Sequence, residues 1–121
     1  MNRRTEVNRA NRAVKRVIKK VLGMGENTPR IENSARLSSI VDEPVYFLAI
    51  LQELKLPCMS YISGERLTEE GAWALFDVAQ TYTGRKQHFL SLMDKRRVSE
   101  LMEAMTVKDL AYLIDYQKVA A

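Results

Sequence analysis

The most concentrated chemistry in this chain is cationic. Residues 1–22 carry Arg3, Arg4, Arg9, Arg12, Lys15, Arg16, Lys19 and Lys20 against one acid, Glu6, a local charge of +7. A nucleic-acid duplex presents a negative charge about every 1.7 Å, and one guanidinium can grip two phosphate oxygens at once. Five arginines among the eight cations suit that contact. A second cluster, Arg85, Lys86 and His88 followed by Lys95, Arg96 and Arg97, would enlarge the surface if both stretches share a face. Asp94 and Glu100 are close enough in sequence to neutralise part of it. Only Phe89 interleaves with these cations, so stacking of single-stranded bases has little support.

Catalytic constellations are not evident. His88 is the only histidine and Cys58 the only cysteine, so neither brings a second nitrogen or sulfur ligand for a metal, and no disulfide can form within the chain. His88 reads as a surface residue. The paired acids Asp42-Glu43 and Glu69-Glu70 both stand where a helix would start, where acids are favoured by the helix dipole, and adjacent side chains diverge. Gly23-Met24-Gly25 follows a helical pattern and lacks the Lys-Ser/Thr of a phosphate-binding loop. A non-enzymatic protein with no cofactor and no metal is the expectation.

The elements that must position the cations are helical. Leu, Ala, Met, Glu, Lys and Arg are plentiful, while only 5 glycines and 3 prolines interrupt them, so an all-α fold is predicted: a small bundle of about five helices with a separate basic N-terminal helix. In that helix Val7, Ala10, Val14, Val17 and Val21 recur at helical spacing, with Ile18 and Leu22 widening the stripe. Arg9, Arg12, Lys15, Arg16 and Lys19 fall on the other side, giving an amphipathic helix with a cationic outer face. Gly23-Met24-Gly25 and a polar stretch containing Pro29 then read as a linker over 23–33. The division is therefore a basic helix over 1–22, a linker over 23–33 and a helical body over 34–121, the first tethered to but separable from the last, with its valine stripe to be covered by the body, a second copy or a partner protein.

Within the body, Asn33 or Ser34 can cap a short helical stretch through Val41, and Asp42 can cap a helix opening at Pro44. That helix, carrying Val45, Phe47, Leu48, Ile50, Leu51 and Leu54, ends before Pro57. Cys58–Ile62 is short enough to be extended, and Ser63-Gly64 turns the chain. Thr68 caps a helix whose buried side holds Ala72, Trp73, Leu75, Phe76, Ala79 and Tyr82. Further helices carry Phe89 to Met93 and Val98 to Met105. Thr106-Val107-Lys108-Asp109 approximates a capping box, with aspartate at its fourth place, and opens a last helix. Met93, Met102 and Met105, with Leu101, Leu110 and Leu113, read by default as core packing, with an adaptable apolar surface as the alternative.

The segment Asn2–Lys20 resembles, in its dispersed Arg and Lys, the arginine-rich RNA-binding helices of phage antitermination proteins, over less than a fifth of the chain. Val14, Val17, Ile18 and Val21 depart from that pattern, being more apolar than a helix lying in RNA requires. Residues 23–121 carry a net charge of −3, so the asymmetry points to a polyanionic or acidic partner. The longest apolar run, 45–51, is far short of the roughly 20 residues of a membrane span, and no apolar block follows the N-terminal charges as in a secretory signal. The expectation is a cytoplasmic regulatory or assembly protein of the viral or plasmid-borne kind. It would contact DNA or RNA through the basic helix and a protein partner or second copy through the body, and no membrane. The alternative is an interaction or inhibitory module whose basic helix docks on an acidic protein.

Overall fold

A computed structural model describes residues 3–25 and 30–120. Residues 26–29 of the expected linker lie outside the described residues, as do the side chains of Arg3, Cys58 and Met59. The described chain is all-α with a minute two-stranded hairpin. Among the described residues no helix is long and apolar enough to cross a membrane.

Helix α1 (Arg3–Leu22) is a distinct element, and it ends where the glycines predict. Gly23 takes φ 65°, and the N–H groups of Gly23 and Met24 donate to the carbonyls of Lys20 and Lys19, the paired bonds that close a helix on a left-handed residue. Its apolar stripe is not free. Val7, Ala10, Val14 and Ile18 are at most 5% exposed and belong to the same core as the rest of the chain, so α1 is not a detached arm. It lies along α7 (Val107–Ala120) and also touches α2 (Pro44–Glu53). Valine is a weak helix former and a lone helix of this length is marginal, so burial of the stripe, worth about 1.5–3 kcal/mol per large side chain, is what holds the helix.

Glu43, not Asp42, precedes the first turn of α2, with no capping bond from its side chain. The helix closes by the same paired bonds as α1, here with Lys55 in the left-handed conformation at φ 60°. The stretch expected to be helical through Val41 is only a single 3-10 turn, Leu37–Ser39. The chain before it turns at 33–34 and then pairs around Arg36 with the approach to α7: Leu37 donates to the Met105 carbonyl, Val107 to that of Ala35 and Lys108 to that of Asn33. These bonds tie 33–37 to the start of α7.

Residues 58–61 form one helical turn, α3 (Cys58–Tyr61), and lead into the hairpin of β1 (Ile62–Ser63) and β2 (Arg66–Leu67), antiparallel with Ile62 opposite Leu67. This unit sits on the start of α4 (Glu69–Thr81). Thr68 caps α4 as expected, its Oγ1 accepting from Gly71 N–H at 3.0 Å and donating to the Ser60 carbonyl at 2.6 Å. The approach is close enough that a Cβ on Gly71 would lie 2.6 Å from the Tyr61 carbonyl oxygen, a backbone atom that cannot swing aside. Gly71→Ala is therefore expected to destabilise by about 2 kcal/mol in urea denaturation despite alanine's better helix propensity; a stabilised variant would refute this packing.

Helices α5 (Lys86–Met93) and α6 (Val98–Ala104) complete the core around Phe47, Phe89, Leu92 and Leu110. Leu101, Met102, Met105, Leu110 and Leu113 are buried among these, so the C-terminal apolar side chains pack the interior as expected and do not form the alternative adaptable surface. Trp73, expected on the buried side of α4, is 54% exposed, set edge-on to Phe76.

Candidate functional site

Arg12, Lys15, Arg16 and Lys19 line one shallow surface of about 330 Å³ along α1. Residues 4, 8, 12, 15, 16 and 19 recur at steps of three and four, which at 3.6 residues per turn sets them on one strip. The buried stripe occupies the other side, so packing against α7 fixes the direction in which the strip faces. Among the described residues none of Arg12, Lys15, Arg16 and Lys19 has a carboxylate within 4 Å. Their neighbours at the edges differ: Arg9 lies 3.7 Å from Glu6, and Lys20 donates to Glu53 at 3.0 Å. Arg12–Arg16 and Lys15–Lys19 are like-charge pairs four residues apart, each costing a few tenths of a kcal/mol in a helix.

At the N-terminal end of the strip the surface opens into a cleft of about 590 Å³. Arg4, Val7 and Asn8 of α1 form one wall, the α4–α5 junction from Thr81 to Arg85 forms another, and Asn33, Lys108 and Tyr112 complete it. No carboxylate is among the lining residues. A neighbouring depression of about 310 Å³ shares Asn33, Arg85 and Lys108. The Arg85 guanidinium carbon and the Lys108 ammonium each lie 5.8 Å from the centre of the Tyr112 ring, itself held edge-on by Tyr82 and Phe89.

Behind the cleft lies a polar network. Asp109 is fully buried, yet its carboxylate accepts from Arg85 Nη2 at 2.9 Å and from Thr106 N–H at 2.8 Å, with His88 Nε2 at 2.7 Å. Asp109 N–H in turn faces Thr106 Oγ1 at 3.3 Å, completing the capping box that opens α7. His88 is thus no plain surface histidine: it is half-buried and bonded to the interior carboxylate. A few residues along α7, the Tyr82 hydroxyl bonds to Asp115, also buried.

The expected second cationic cluster does not gather on one surface. Arg85 and Lys86 stand at the start of α5, and Lys95, Arg96 and Arg97 beyond its other end. Lys95 borders a depression with Arg36, His88, Ser91, Glu100 and Glu103, where acids offset it. The backbones of Arg96 and Arg97 pair with the hairpin, the Arg96 carbonyl accepting from Leu67 N–H and Arg97 forming a backbone bridge with Arg66, while both side chains are exposed. Asn8, Asn33, Lys108 and Asp109 were not among the site residues expected from sequence. The capping-box spacing did place Asp109 at a helix start, but its reach to Arg85 and His88 depends on tertiary packing.

Among the described residues no group of three or more His, Cys, Asp or Glu is placed to hold a metal ion. Comparison with known proteins gives no match to a protein family, to a curated protein or to a solved structure.

Proposed function

We propose that this chain is a small non-enzymatic regulatory or assembly protein of the cytoplasm that grips nucleic-acid phosphates along the outer strip of α1. The observation that supports the reading most is the unneutralised quartet Arg12, Lys15, Arg16 and Lys19 on a helix whose opposite side is anchored in the core. Anchoring means the helix backbone need not be ordered at the moment of binding, so only side-chain freedom is lost on association. The like-charge pairs weaken the helix with no structural return, as expected of a surface kept for an external anion. The body offers Trp73, Val45 and Tyr46, all exposed, to a protein partner or a second copy.

The test is fluorescence anisotropy of the full chain against labelled duplex DNA and structured RNA over a salt series. Four phosphate contacts predict a slope of about −3 to −4 in log affinity against log salt for the duplex. Absence of binding to both, or affinity indifferent to salt, would overturn the reading and favour docking of the strip on an acidic protein.

A further inference from the structure

We infer that the cleft between α1, the α4–α5 junction and α7 is a binding site for a phosphate monoester, separate from the quartet Arg12, Lys15, Arg16 and Lys19. Two cationic side chains face it with hydrogen-bond donors to spare, and Lys108 with an unpaired charge. Arg85 gives Nη2 to Asp109, but its Nη1 carries no hydrogen bond among the described residues, and the Lys108 ammonium has no carboxylate within 4 Å. Both are held in place. Asp109 fixes the guanidinium from behind, and the Lys108 backbone is tied to Asn33 and its ammonium set against the Tyr112 ring.

Further uncharged donors in the lining are the Thr83 hydroxyl and the amides of Asn8 and Asn33, whereas the Thr81 hydroxyl is given to the Asp77 carbonyl and that of Tyr82 to Asp115. Such a set suits a compact dianion with several acceptor oxygens, and a phosphate monoester carries close to two charges near neutral pH. At about 590 Å³ the cleft has room for a group the size of a nucleoside monophosphate. The monoester could come from a free nucleotide or from the 5′ end of a nucleic-acid strand running along the strip, and both present the same chemistry.

The experiment is an amide-resonance titration of the full chain with inorganic phosphate, adenosine 5′-monophosphate and adenosine. Phosphate and the monophosphate are expected to shift Thr83, Gly84 and Lys108, and adenosine to leave them unmoved. Lys108→Glu should weaken the monophosphate by about tenfold or more while Lys108→Arg keeps it. Neutral replacement of Arg12, Lys15, Arg16 and Lys19 by glutamine should weaken it by no more than about threefold at about 0.15 M salt, which separates this site from the quartet. A 5′-phosphorylated oligonucleotide that outbinds its 5′-hydroxyl form by more than the monophosphate outbinds adenosine identifies a strand end as the source; equal gains identify a free nucleotide. No shift at millimolar phosphate, or shifts confined to residues 12–19, would overturn the inference.

Discussion

Replacing Arg12, Lys15, Arg16 and Lys19 together by glutamate is expected to lower affinity for duplex DNA by about a thousandfold or more at about 0.1 M salt, with the fold intact. Every cation removed takes with it a charge-assisted phosphate bond worth about 1.5–3 kcal/mol, and the new carboxylates repel phosphate as well. Stability should fall by only about 1 kcal/mol: glutamate is a comparable helix former and one set of like-charge pairs replaces another, but an acid at Lys19, in the last turn of α1, opposes the helix dipole. Deleting α1 would be a poor substitute, since it would strip Val7, Val14 and Ile18 from the core. Anisotropy and thermal melting of the same protein read the two effects separately. Unchanged affinity would rule the strip out as the phosphate contact.

Asp109→Ala is expected to destabilise by about 3–5 kcal/mol, the cost of removing one partner from a buried charged network. The alanine strands three groups at once: Arg85 Nη2, the Thr106 N–H and His88 Nε2. It also removes the capping box of α7, the helix on which α1 rests. Arg85 is partly exposed and can turn to water, so the lower end of the range applies to that pair. His88→Ala, by contrast, removes one bond at a half-buried position and should cost about 1 kcal/mol. Urea denaturation of the two variants measures the difference. A cost below about 1 kcal/mol for Asp109→Ala would mean that the carboxylate is not a structural hub.

The helices were legible because their signals are local. Thr68 before Glu69-Glu70, the glycine after Leu22 and the Thr106-to-Asp109 spacing each mark a terminus through bonds spanning a few residues. What covers a stripe is not local. Spacing showed that Val7, Val14 and Ile18 share a face, yet only the assembled fold shows that α7, at the far end of the chain, lies along that helix. The same limit hid the role of His88, whose partner Asp109 sits on another helix, and of Lys108, which shares the Tyr112 ring with the distant Arg85. The ladder from Asn33 to Leu37 replaced the short helix read there, because pairing with 105–108 satisfies more backbone groups than an isolated turn could.

The two sides of α1 do different work, one packed into the interior and the other turned to solvent, and this links events that are otherwise far apart. A polyanion that grips the outer side selects chains whose inner side is already packed, so at about a hundred times its dissociation constant it adds about 2.7 kcal/mol to global stability. The linkage runs both ways: truncating Phe89 or Leu110, neither of which lies on the strip, lowers apparent affinity once the folded fraction falls. In this chain a core residue is thereby also a determinant of occupancy at a surface it never touches.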